Sequence, residues 1–104
     1  MTISIEPMTK ENIENMFKNC ELLASILNFP SYEAMEKFKI NASLGMLKFG
    51  GSFLQGLGNA LAHADSMNTA KIIRSFFSEC KEHANLYIKW LANRGQDENG
   101  EFFK

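Results

Sequence analysis

The chain reads as all-α, a compact bundle of three to four helices packed around a Gly/Ala-rich central helix. Three observations predict this. Apolar residues recur at spacings of three and four from Ile13 to Leu91, the period that lines up one face of an α-helix. The segment Phe49–Ala64 carries three ladders at a spacing of four: large Phe49, Phe53, Leu57 and Leu61; small Ser52, Gly56, Ala60 and Ala64; polar Gln55, Asn59 and His63. A small strip beside a large one lets another backbone approach, which marks this segment as the expected buried centre. No strand pattern of any length competes.

The elements follow in order. Residues 1–8 form an extended N-terminal arm in which Ile3 and Ile5 alternate with polar residues and Pro7 closes the segment. Thr9 is the expected N-cap of a first helix over 10–27, with apolar Ile13, Met16, Phe17, Cys20, Leu23, Ala24 and Leu27. Glu11 and Glu14 sit where the helix dipole favours negative charge. Asn28-Phe29-Pro30 ends it, because a residue before proline avoids helical angles. Ser31 caps a second helix whose apolar side is Tyr32, Met35, Phe38, Ala42, Met46 and Phe49. Gly45 weakens that helix slightly, and Gly50-Gly51 kinks or ends it. The third helix is 51–64. Asp65 caps a fourth over 66–93, with Ile73, Phe76, Phe77, Cys80, Ala84, Tyr87, Trp90 and Leu91 on its apolar strip and Gly95 as its stop. Residues 9–94 are thus one helical domain. Residues 95–104 are expected to be a flexible polar tail, unless Asn99-Gly100 turns Phe102 and Phe103 back onto the body.

Length and composition bound the function. A 104-residue chain with 45% apolar and 22% charged residues is an ordinary globular domain. A net charge of −1 argues against nonspecific nucleic-acid binding and against an acidic DNA mimic. The charge is uneven, however: residues 1–36 are acidic and 66–94 mildly basic. No apolar run could span a bilayer and no signal peptide is visible. Cys20 and Cys80 read as buried free thiols in a reducing compartment, the cytoplasm, with a Cys20–Cys80 disulfide the less favoured alternative. The six methionines read first as core filling.

No catalytic constellation emerges. His63, two residues before Asp65, suggests an acid/base pair, but a helix-end surface histidine is the better reading. His83 reads the same way, on a mostly polar face among Glu79, Lys81 and Glu82. Zinc needs three or four suitably spaced ligands, and none is visible. Cys80 and His83 are three apart and within reach of each other, yet nothing supplies an electropositive pocket or an oxyanion site. The glycines at 50, 51, 56 and 58 lack the preceding strand and the Lys-Ser/Thr of a phosphate loop, so helix packing accounts for them better. The expectation is a protein without catalytic, cofactor or metal residues. Its candidate partner-binding residues are aromatic and basic: Lys71, Arg74, Lys81, Tyr87, Lys89, Trp90 and Arg94.

One segment resembles a family. Gly50–Ile72, through Gly51, Phe53, Leu57-Gly58, Ala60-Leu61, Ala64-Asp65, Asn68 and Lys71-Ile72, resembles small uncharacterised helical proteins of bacterial phages and prophages. The match covers about a quarter of the chain. It is specific as a helix–cap–helix signature and carries no reaction. The resemblance implies a non-enzymatic protein that binds and sterically inhibits a host protein in the bacterial cytoplasm, as anti-CRISPR and other anti-defence factors do. Two alternatives stand beside it: a nucleic-acid-binding accessory protein using the basic fourth helix, and a structural or assembly protein of the virion. Leftover apolar groups, Phe29, Phe102, Phe103 and the Ile3/Ile5 arm, point to a homodimer.

Overall fold

The computed structural model describes residues 10–102. The N-terminal arm, the Thr9 cap and Phe103 lie outside the described residues. Five helices follow one another: α1 (Lys10–Ile26), α2 (Tyr32–Phe49), α3 (Ser52–Ala62), α4 (Ser66–Ser75) and α5 (Phe77–Asn93). The all-helical class is as expected, but the helix count is not. The expected 66–93 helix is bent in two at Phe76 (φ −126°, ψ 39°), which caps α4 by donating to the Ile72 carbonyl and starts α5 by accepting from Cys80 N.

Each helix end has a local cause. Asn28 adopts a left-handed φ of 66° after α1. There Asn28 N donates to Ser25 O and Phe29 N to Ala24 O, the paired closure that satisfies the orphan carbonyls of a helix end. The same closure ends α5: Gly95 (φ 78°) donates to Ala92 O, and Gln96 N to Leu91 O. Ser31 Oγ accepts from Ala34 N at 3.1 Å, and Asp65 Oδ1 accepts from Asn68 N at 2.8 Å. Gly50-Gly51 separates α2 from α3 outright.

The core takes residues from every helix: Ala24, Met35, Ala42, Met46, Leu61, Ile73, Cys80 and Ala84 are buried together. Its centre is α2, which packs most extensively along α5 and next along α3. The expected central role of the Gly/Ala-rich helix is therefore corrected. On α3 only Gly58 and Leu61 are buried. Its small ladder faces outward at Ser52, Gly56 and Ala60, and Phe53 is 67% exposed. The glycine that brings backbones together is Gly45 on α2, where a β-carbon would run into the His83 carbonyl of α5. Gly58 does the same for α3: a β-carbon there would lie 2.8 Å from Met46 Cβ and 3.0 Å from Ser43 O.

Residues 96–102 form a hairpin that turns at Asn99-Gly100. Asp97 N donates to Glu101 O and Gly100 N to Asp97 O, and the Asp97 carboxylate accepts from Asn99 N and Glu101 N. Gln96 and Phe102 form an antiparallel bridge, and Gly100 supplies the left-handed φ of 80° that this hairpin loop needs. Phe102 stays 70% exposed, so it does not return to the body. Phe29, expected to be left over, is half-buried against Phe38, with ring centroids 5.2 Å apart.

Gly45→Ala should destabilise the fold by about 1–3 kcal/mol through overpacking. Gly56→Ala, where a β-carbon meets nothing within 4 Å, should stabilise it by about 0.5–1 kcal/mol. Urea denaturation of both variants measures the two opposite signs.

Candidate functional site

Two potential chemical groups are placed by the fold in unreactive settings. Cys80 lies in the core, and burial, with a smaller contribution from Glu79, pushes its thiol up from 9.0 to about 11. A thiol held neutral is a poor nucleophile. His83 does not sit on a polar surface as expected. It is buried at the α2–α5 crossing, because its backbone is the surface Gly45 touches, and its Nδ1 pairs with the Glu79 carbonyl at 2.8 Å. His63 is exposed as expected, and it pairs with the Asn59 carbonyl while Asp65 is engaged in its cap. Cys20 and Cys80 are free. Cys20 is half-buried and contacts Ser66 Oγ at 3.5 Å, which in turn lies 3.2 Å from the Tyr32 hydroxyl. Among the described residues, no three His, Cys, Asp or Glu side chains are grouped to hold a metal ion. No helix among them is long and apolar enough to cross a membrane. Of the methionines, Met35 and Met46 fill the core, whereas Met67 is exposed.

The arrangement most suited to binding is an aromatic and cationic edge where α5 leaves α2. Trp90 is half-buried and stacks on Tyr87, with centroids 5.6 Å apart and planes at 29°. Lys48 Nζ lies 4.1 Å from the Trp90 ring centroid and Arg94 Cζ 4.7 Å from it. Cations at these distances are attracted by the ring's negative face. The edge continues into an apolar strip, Ile40, Leu44 and Leu47, on the outer side of α2. Ile40, Leu44 and Tyr87 line one shallow cleft, which makes the two parts contiguous.

The seven candidate residues from the sequence are thus divided. Tyr87, Trp90 and Arg94 come together. Lys81 and Lys89 are exposed on α5 but turned away: at about 100° per residue, Lys89 is a quarter turn from Trp90 and Lys81 about half a turn. Lys71 and Arg74 are exposed on α4. Arg74 borders a separate cleft with Ile26 and Phe77.

Lys48 was not among the sequence candidates, since nothing in a linear reading ties it to Trp90; only the helix crossing at Gly45 does. The Ile40, Leu44 and Leu47 strip did leave a signal. Together with Met35, Ala42 and Met46 it makes α2 apolar on more than one side, the pattern of a central helix.

No protein-family model matches this chain, and the searches of curated proteins and of solved structures returned no match.

Two outcomes follow from this geometry. Stability should fall as pH rises from 9 towards 11, because the unfolded Cys80 thiol ionises first and the folded one stays protonated until about 11. The pH dependence of the denaturation midpoint should flatten in Cys80→Ala. Trp90 is the chain's single tryptophan, so Lys48→Ala and Arg94→Ala should each change its emission. Each should cost no more than about 1 kcal/mol in thermal or chemical unfolding, as a surface cation–π contact does.

Proposed function

We propose that this chain is a phage-encoded binding protein that inhibits a bacterial host protein sterically, as an anti-CRISPR or other anti-defence factor does. It acts without a cofactor and without catalysis of its own. The observation that carries the binding part is the Trp90 edge: a stacked Tyr87–Trp90 pair flanked by Lys48 and Arg94, joined to the exposed Ile40, Leu44 and Leu47. Tryptophan, tyrosine and arginine are the residues that dominate protein interfaces, and an exposed apolar strip beside them supplies the area to be desolvated. The inhibitory part rests on the resemblance of Gly50–Ile72 to phage proteins.

A nucleic-acid reading has weaker support, because Lys71, Arg74, Lys81 and Lys89 do not line one track with Trp90, as a strand-binding groove requires. A homodimer through the same apolar strip, or an assembly role, would appear as a second copy on this surface.

Affinity capture from bacterial lysate followed by mass spectrometry tests the proposal. The expected result is one host protein retained at moderate salt and lost by about tenfold or more with Trp90→Ala or the Lys48→Ala/Arg94→Ala pair. Expression of the wild-type chain, and not of Trp90→Ala, should then restore plating of a phage restricted by the defence to which that protein belongs. Recovery of no host protein, of nucleic acid released steeply by salt, or of the chain's own oligomers alone would contradict it.

A further inference from the structure

A second feature of the α2–α5 junction adjoins the Trp90 edge and shares Ile40, Leu44 and Tyr87 with it. Asn41 is only 7% exposed, at a place on α2 that faces α5. Its neighbours Lys39 and Ser43 bond the carbonyls of Ala64 and Ile40, whereas the Asn41 amide pairs with nothing among the described residues. Every fully buried polar side-chain atom there does have a partner. The Asn41 amide must therefore open onto the cleft that Asn41 lines. Facing the cleft, the amide leaves one donor and one acceptor group open to an occupant.

That cleft has two lobes, of about 410 Å³ and about 190 Å³, and Lys37, Asn41 and Glu98 border both. The larger lobe has an apolar wall of Phe29, Phe38 and Ile88. Its polar rim carries Glu33 and Glu98 against Lys37, a net negative charge. The smaller lobe is bounded by the chain's own hairpin, Glu98 to Gly100, so main chain already lies along it.

We propose that this cleft takes an extended peptide segment of a partner protein, with a main-chain amide group pairing donor to acceptor with the Asn41 side chain. An amide offers one donor and one acceptor side by side, the complement of a peptide group. Two lobes in series suit an elongated occupant. The Phe29–Phe38 wall receives a large apolar side chain, and Glu33 and Glu98 receive a neighbouring lysine or arginine. A nucleotide would match the amide edge equally well, but its phosphates would meet the two carboxylates.

The test is selection of a ribosome-displayed random dodecapeptide library on the full chain, with fluorescence anisotropy of synthetic peptides from the enriched pool. The selected peptides should share a basic residue next to a large apolar one. Asn41→Leu should weaken them by about tenfold while retaining the helical spectrum and melting temperature, since the amide pairs with no other described residue of the fold. The surface pair Glu33→Gln/Glu98→Gln should weaken them severalfold, which keeps the test decisive if Asn41→Leu misfolds. Lys71→Ala on α4, outside both lobes, should leave peptide affinity unchanged. The Asn41 side-chain NH₂ resonances should shift with peptide and not with adenosine or uridine. The proposal is overturned by a pool lacking that pattern, by peptides that bind the Asn41 or Glu33/Glu98 variants as tightly as the wild type, or by nucleosides shifting Asn41 where peptides do not.

Discussion

The rest of this fold depends on one close approach, the backbone of α2 against that of α5 at Gly45 and His83. A side chain at position 45 would collide with the His83 carbonyl, so the two helices can pack this tightly only where the β-carbon is missing. The approach buries Ala42, Met46, Cys80 and Ala84 in one cluster. It also buries His83, whose ring nitrogen pairs with the Glu79 carbonyl of its own helix. The same crossing carries Lys48 to Trp90 and forms the cleft that Asn41 lines with Ala84 and Ile88. Packing, the binding edge and the cleft therefore share one geometric origin.

Much of the secondary structure was legible because its signals are local. Ser31 and Asp65 are N-caps in both the reading and the structure, since a side-chain oxygen three residues before an unpaired N–H is a short-range arrangement. Asn28 and Gly95 stop their helices because they tolerate a left-handed backbone. The bend at Phe76 had no such mark. No glycine or proline stands there, and Phe76 itself keeps helical pairing on both sides, its N–H to Ile72 and its carbonyl from Cys80.

The identity of the central helix was misread for a physical reason. A periodic ladder says which residues share a strip, but not which strip is covered. On α3 the small strip reads as a place for another backbone, yet Gly56 faces open space and only Gly58 meets a neighbour. On α2 a single glycine among large residues looked like a weakness and is the contact point. The better signal was the spread of Ile40, Leu44 and Leu47 beyond the first apolar side. The site shows the same division. Tyr87, Trp90 and Arg94 share one side of one helix and so were found together, whereas Lys48 and Asn41 join through tertiary packing.

Native-state hydrogen exchange resolved by residue tests the central role of the α2–α5 contact most directly. Amides near the crossing, in residues 42–48 and 80–87, should exchange only through global unfolding, with a free energy equal to that from urea denaturation. Amides of α3 should exchange earlier, through a partial opening that leaves α2 and α5 paired. If α3 proved the most protected segment, with α2 or α5 opening before it, the Gly45–His83 contact would not be what holds the fold together.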